Sequence, residues 1–308
     1  MFFERFIRDL PGEPSFQRFE KRDVNPVSRR VKYRALFAPN EAMLVLQERF
    51  LAYLRSFRLR EARKEALRFA TSFRPGCSSM GNVKPHRGNR YFFLLDLKDA
   101  FPSVNCRKLA LILAGLDREQ FGDGESSPHI EELERFLGTY FFTPDEGLAT
   151  GGPAANDLFN LYAGVLIDRN LEDFVSSSGC TYTRYVDDLT FSSNAEIEKP
   201  QRLAIRGVIE SAGFTVNDWK SQICDLEKTP VVITGIGLKL DGSVFLPRGY
   251  TRHLFGFIHR ARVAGDVNPH EVHGKMGVFF SITGRDPLQM NKIEQRLVRE
   301  YELFRRKR

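Results

Sequence analysis

The chain has 308 residues, 42% hydrophobic and 28% charged, and no apolar run nears the roughly 20 residues that a membrane span needs. That length suits one large domain or two or three fused subdomains around a continuous core. The formal charge is +7, and residues 246–308, with 13 Lys and Arg against 6 Asp and Glu, carry the whole surplus, so one part of the chain is set to grip a polyanion.

In chain order, the N-terminal MFFERFIRDLPGEP contains Glu4 and Asp9 and lacks a long apolar segment, so it does not read as a signal peptide. Residues 41–70 place apolar side chains at helical spacing with Arg and Lys between them, predicting an amphipathic helix. Residues 76–88 are polar and punctuated by Gly and Pro, which predicts a loop. YFFLLDL at 91–97 predicts a strand buried on both faces, followed by a helix from about Cys106. Residues 154–173 again have helical spacing, and 181–193 predict two short strands joined at Asp187-Asp188. A helix over 199–212, a strand over 213–216, and strands at 231–233 and 237–240 lead into the basic C-terminal segment. Strand, helix, hairpin, helix, strand is a split β-α-β order, giving an α+β fold with helices on a sheet face. The four cysteines, Cys77, Cys106, Cys180 and Cys224, form no C-x-x-C pair, which points to a reducing, cytoplasmic setting rather than a disulfide framework or zinc site.

The chemistry is carried by carboxylates. Asp187 and Asp188 interrupt the apolar and β-branched stretch TYTRYVDDLTFSS, where adjacent negative charges repel. Taken alone, the pair reads better as an exposed hairpin turn. Asp96, however, ends the apolar run FFLLD, and if the two strands are neighbours all three carboxylates meet at one sheet edge. Such an oxygen-rich set suits Mg²⁺, and two ions would activate a 3′-hydroxyl and stabilise a leaving pyrophosphate.

LLDLKDAFPSV resembles the first catalytic motif of reverse transcriptases, and RYVDDLTFSS resembles their Y-x-D-D motif. RRVKYRALFAPNEAMLVLQ resembles the fingers motifs and GFTVNDWKSQI the motif after the catalytic hairpin, in the family's order. The resemblance implies a right-hand polymerase with fingers (1–90), a ferredoxin-like palm (91–238) and a helical, basic, RNA-binding thumb (239–308). It makes Asp96, Asp187 and Asp188 the catalytic, metal-binding positions for two Mg²⁺, with Mn²⁺ as a substitute. It places Arg34, with Lys32 beside it, on the triphosphate and Lys220 near the leaving phosphate. Leu97 and Gly151 join the nucleotide site, and Phe101 packs under the sugar as a gate against a 2′-hydroxyl. GLATGGPAAND departs from the usual L-P-Q-G-x-P-x-S-P: Leu148, Gly151 and Pro153 align, while Thr150 replaces the Gln and Ala155-Asn156 replace Ser-Pro.

Asn82-Val83-Lys84-Pro85-His86 resembles the N-A-x-x-H element of bacterial retron reverse transcriptases, and Ile233-Thr234-Gly235 their V-T-G element. That resemblance implies RNA binding by Asn82, His86, Thr234 and Gly235, joined by Arg248 and Arg252 of the basic segment. It further implies a structured non-coding RNA partner, an RNA–DNA duplex, a dNTP substrate, 2′-hydroxyl priming to a branched RNA–DNA product, and an effector protein encoded nearby for antiphage defence, with no membrane role. Two other readings remain. One is another defence-associated or intron-like enzyme, untemplated or protein-primed; the other is a catalytically silent RNA-binding scaffold.

Overall fold

The computed structural model describes residues 3–24, 31–56, 60–121, 129–143, 147–265, 267–284 and 286–307. A short helix α1 (Glu4–Ile7) and a hairpin of nine-residue strands, β1 (Phe16–Val24) and β2 (Val31–Pro39), precede α2 (Glu41–Leu54), α3 (Arg60–Ala66) and α4 (Ser79–Val83). Next come β3 (Tyr91–Lys98), α5 (Cys106–Phe121), α6 (Ile130–Tyr140), the two-residue strands β4 (Phe142–Thr143) and β5 (Gly147–Leu148), α7 (Ala155–Ala163) and α8 (Arg169–Ser178). The aspartate-bearing hairpin, β6 (Thr181–Tyr185) and β7 (Asp188–Ser193), is followed by α9 (Lys199–Ser211), β8 (Thr215–Val216) and β9 (Gln222–Asp225). A small sheet of β10 (Val231–Ile233), β11 (Ile236–Leu238) and β12 (Val244–Phe245) leads to α10 (Arg248–Ala264), α11 (Pro269–Thr283) and α12 (Lys292–Arg306).

The run at 91–97 is the middle strand of an antiparallel sheet, with β6 and β7 on one side of β3 and both β8 and β9 on the other. Period-two alternation divides its side chains between two cores. Phe93, Leu95 and Leu97 enter a large core shared with α2, α5, α7 and α9, whereas Phe92 enters a second core built from β10, β11 and the three C-terminal helices. Leu94 packs partly against that second core, and the next residue on the same face is Asp96. The C-terminal helices therefore cover one end of this face and leave the carboxylate end uncovered.

Several local readings change. The helix expected over 41–70 is two helices, because the first closes where the Arg55 amide bonds Leu51 and the Ser56 amide bonds Tyr53. The expected loop at 76–88 contains α4 and a 3-10 turn (Lys84–His86): Ser78 caps the helix by accepting from the Gly81 amide, and Pro85 suits the first turn that follows. The helix expected over 154–173 runs from α7 through a π-helical turn (Gly164–Asp168) into α8 and ends at Gly179, whose φ is 65°. A Cβ at Gly164 would collide with the Ala66 carbonyl, so that glycine lets α3 lie against the turn. No described helix is long and apolar enough to cross a membrane.

Candidate active site

The hairpin β6–β7 pairs with β3 so that Asp188 lies directly opposite Asp96. Cross-strand partners share a face, so these two carboxylates are close for a backbone reason. Asp187 occupies the turn, and its carbonyl accepts from the Leu97 amide at 2.9 Å, which locks the turn to β3. Burial raises the Asp188 carboxyl to about 7, with the Asp187 and Asp96 charges pushing the same way and Lys220 opposing them. Asp187 is raised too, first by burial and then by Asp96, while Lys220 and Arg34 counteract. Lys220 Nζ lies 2.6 Å from Asp96 Oδ1, and Asn217 donates to Asp96 Oδ2 at 3.1 Å. Asp96 is thus turned toward Lys220, and among the described residues no three His, Cys, Asp or Glu side chains close on a single metal position as they stand. The donors are nonetheless all carboxylate oxygens, and the cluster holds more negative than positive charge, which is the chemistry a hard divalent cation relieves.

The hairpin is held from behind by groups that sequence reading did not single out. Val186 has φ 58°, a left-handed conformation that is costly for a β-branched residue. Its amide donates to Ser72 Oγ at 3.0 Å and its carbonyl accepts from Arg184 at 3.1 Å. Arg184 is 0% exposed, an extreme position for a guanidinium. It donates to Asp168 through Nε and Nη2, and to the side chain and carbonyl of Asn160, while Tyr182 also donates to Asp168 at 2.7 Å. Every charge in this network has a partner. The available signal was the Arg immediately before Tyr185 together with Asp168 inside a helix otherwise buried at that level.

Asn82 and His86 were expected at an RNA surface, yet both are 0% exposed. The His86 ring nitrogens bond Ser192 Oγ at 2.7 Å and Thr183 Oγ1 at 2.8 Å, one on each strand of the hairpin. Burial lowers the imidazole to about 4, so it is neutral and the two hydroxyls complete it. Asn82 accepts from Thr71 Oγ1 at 2.7 Å. These side chains buttress the hairpin and are not presented to a partner. A Gly- and Pro-punctuated segment looks solvent-facing in sequence because polarity alone does not reveal that the Asn82 amide oxygen and the His86 ring pair with side-chain hydroxyls inside the fold.

Gly151 has φ 118°, and a Cβ there would lie 2.8 Å from the Phe37 carbonyl. The close approach it permits is therefore to β2. Beside it, Thr150 Oγ1 donates to the Ala35 carbonyl at 3.1 Å and the Thr150 carbonyl accepts from the Phe37 amide at 2.7 Å. The residue that stands for the usual Gln thus joins the 147–153 segment to the strand bearing Arg34. Arg34 is exposed and near enough to act on Asp187; the Lys32 side chain lies outside the described residues. Phe101 stacks on Phe159 with centroids 4.8 Å apart, and Leu97 is buried in the main core. Thr234 and Gly235, with φ 45° and 84°, form the β10–β11 turn at the edge of a cleft of about 290 Å³ that Asp96, Asp188 and Lys220 also line. Arg248 and Arg252 are exposed one turn apart on α10.

Residues 30–238 match the family model described as reverse transcriptase (RNA-dependent DNA polymerase). The sequence is 30% identical over 271 residues to the retron Mx65 reverse transcriptase of Myxococcus xanthus, covering 85% of this chain and 61% of that one. It is 29% identical over 214 residues to the retron Mx162 reverse transcriptase of the same organism, covering 63% and 44%, and 24% identical over 235 residues to the retron Ec86 reverse transcriptase of Escherichia coli, covering 76% and 68%. The chain thus spans about three fifths of the first relative's length and less than half of the second's. Among solved structures, telomerase from Candida albicans in complex with a fragment of telomeric RNA superposes with TM-score 0.57 at 12% identity, over 95% of this chain and 56% of that one. Apo telomerase from Candida tropicalis gives 0.52 at 9% identity, over 95% and 63%. These structural likenesses establish an α+β right-hand polymerase fold. The match across two thirds of the sequence, over the segment that carries the three carboxylates, means that the chain belongs to the reverse transcriptase family.

Proposed function

We propose that this chain is an RNA-directed DNA polymerase of retron type that copies a structured non-coding RNA partner, priming from a 2′-hydroxyl of that RNA to give a branched RNA–DNA product. The observation that carries the reading is the under-neutralised trio of Asp96, Asp187 and Asp188 at the uncovered end of the sheet, in a chain similar to retron enzymes. Reverse transcriptases use divalent metal ions, and the donor set and surplus negative charge here suit Mg²⁺, with Mn²⁺ able to substitute. Bound there, two ions would supply charge neutralisation at the attacking 3′-hydroxyl and the leaving pyrophosphate.

The chain's own residues do the remaining work. Asp96 and Asp188, fixed by backbone pairing, would hold the cations, and Asp187 would complete the set from the turn. Lys220 sits on Asp96 through a half-exposed side chain and turns to the leaving phosphates, releasing Asp96. Arg34 lies on the same side and neutralises the triphosphate. Phe101, backed by Phe159, excludes a 2′-hydroxyl. In this reading fingers (1–90), palm (91–238) and thumb (239–308) divide the labour, and the thumb grips RNA and RNA–DNA duplex through backbone phosphates from Arg248, Arg252 and their neighbours. Thr234 and Gly235 contact the RNA strand near the carboxylates, while Asn82 and His86 act by positioning the hairpin. The cellular role is antiphage defence in the cytoplasm, with an effector protein encoded nearby.

The test is to isolate the protein from its native locus and examine co-purifying nucleic acid beside an Asp187→Ala, Asp188→Ala double variant. A small DNA covalently joined to one structured RNA, absent from the variant, is the expected result. Bound RNA with no DNA in either sample would favour the silent scaffold, and DNA without linked RNA would favour untemplated or protein-primed synthesis.

A further inference from the structure

The turn between β8 and β9 delivers two groups to one carboxylate. β8 pairs with β3 at Leu97 and β9 pairs with it at Leu94, so the turn straddles Asp96. Its own bonds fix it there: the Asn217 amide donates to the Asp96 carbonyl at 2.8 Å, and the Lys220 and Ser221 amides return to the Asn217 carbonyl at 3.1 Å. Arg206 of α9 holds Asp218 at 2.6 Å. Trp219 at the tip is 99% exposed, so these bonds, and not packing of the tip, hold the turn.

The two side chains that reach the carboxylate differ in kind. The Asn217 side chain donates to Oδ2 at 3.1 Å, a neutral bond beside the paired backbone. Lys220 Nζ takes Oδ1 at 2.6 Å, from a side chain that is 56% exposed. The first bond sets the orientation of the carboxylate. The second is a point charge on a flexible four-carbon stem, able to swing away with no change in the backbone. Asn217 thereby decides which oxygen is left to other partners, and Lys220 covers that oxygen.

A divalent ion and this ammonium compete for the same oxygen. Mg²⁺ binds oxygen at roughly 2.1 Å, so with the ammonium 2.6 Å from Oδ1 the two cations would stand within about 5 Å of each other. In a partly buried cluster that repulsion is screened much less than in water. Lys220 lowers the carboxyls of both Asp187 and Asp188, so it already serves as counter-ion to the whole cluster, whereas Arg34 acts on Asp187.

We propose that Lys220 is a built-in counter-ion that keeps divalent metal off Asp96 until a triphosphate draws the ammonium away. The inference rests on the polymerase reading above, which gives Lys220 to the leaving phosphates, and adds the regulation of that site. The phosphates supply the displaced ammonium with a new partner, so metal and nucleotide each favour the other's binding, as linkage requires. The centre is thereby completed only when a nucleotide is there to be joined.

Metal binding is measured without nucleotide or nucleic acid, by titrating Mn²⁺ and following the free ion by electron paramagnetic resonance, with the Asp187→Ala, Asp188→Ala double variant as baseline. Lys220→Met should bind Mn²⁺ about 10-fold more tightly than the wild type. Lys220→Arg, which keeps a cation in reach, should stay near the wild type. Arg34→Met should change the affinity less than about 3-fold, because Arg34 is exposed and screened by solvent. A second measurement reads the wild type itself. After reductive methylation with ¹³C-formaldehyde, the Lys220 signal, assigned by its absence from Lys220→Arg, should shift as Mg²⁺ saturates the protein. An unchanged or weaker affinity in Lys220→Met would overturn the proposal, as would an equal gain in Arg34→Met or a Lys220 signal that stays in place at saturation. A wild type that never incorporates dNTP yet gives the expected metal affinities would refute the polymerase reading and leave the role of the ion pair standing.

Discussion

Two charged clusters sit within four residues of each other on the β6–β7 hairpin, and they are built on opposite rules. Around Arg184 one buried guanidinium meets one buried carboxylate, and Asn160, Tyr182 and the Val186 carbonyl complete the hydrogen bonds. Around Asp188 three carboxylates face Lys220 and Arg34 with burial working against their ionisation. The first cluster is closed: nothing can be added to it, and any removal leaves an uncompensated charge. The second is open on one side and improves when a cation is added. A charge-balanced cluster behind a charge-unbalanced one is how this fold keeps three repelling carboxylates in place.

The contrast breaks most severely at the open cluster. Asp187→Asn or Asp188→Asn is expected to lower dNTP incorporation on the order of 10³-fold or more, because the chemistry loses a ligand for its charge carrier. The same Asp188→Asn should stabilise the fold at pH 8 in metal-free buffer by on the order of 3 kcal/mol, read by urea unfolding. Adding Mg²⁺ should then raise the wild-type Tm more than the variant's. An Asp188→Asn protein that is both inactive and less stable would show that the carboxylate is structural.

The closed cluster should respond in the reverse sense. Arg184→Met is expected to cost about 3–5 kcal/mol, since Asp168 is left buried with only the Tyr182 hydroxyl and no opposite charge beside it. Combining it with Asp168→Leu should recover most of that stability. Activity should stay low in the double variant, because the Val186 carbonyl still lacks its donor. Recovery of both would show that Arg184 does not position the turn.

A pH titration sharpens the comparison further, because the two sides of the hairpin oppose each other. The Asp188 carboxyl moves from 3.8 to about 7 on folding, so the folded state holds an extra proton and stability falls as pH rises across that window. His86 moves from 6.5 to about 4, so the unfolded state holds the extra proton and its contribution, roughly 3 kcal/mol, is full above pH 6.5 and is lost as pH falls toward 4. In metal-free buffer Asp188→Asn should therefore leave a profile that rises between pH 4 and 6.5, and His86→Gln one that falls. The smallest effect is expected at Thr150→Val, which removes the bond to Ala35: about 1 kcal/mol of stability and a few-fold rise in the KM for dNTP. A fully unchanged KM would mean that this contact does not set the position of Arg34.

By itself the sequence determined the composition of the active cluster and the order of the elements that bear it. Asp96 at the end of an apolar run and Asp187-Asp188 between two short strands are visible because strand periodicity and local polarity are properties of neighbouring residues. The 91–97 strand, the hairpin and the helix after it were legible for the same reason. The tertiary structure decided what depends on which distant segment meets which. The Thr150–Ala35 bond joins residues 115 apart, and the contacts of His86 span 97 and 106. No local pattern reports those pairings, so Asn82 and His86 read as a surface loop, Gly151 as a ligand contact, and Arg184 as an unremarked basic residue. The hairpin of nine-residue strands β1 and β2 also escaped the periodicity because most of its described side chains are exposed and it buries no continuous face. Burial is a property of the assembled chain: it turned an ordinary arginine into a clamp, a polar motif into a buttress, and left the one tryptophan standing in solvent beside the carboxylates.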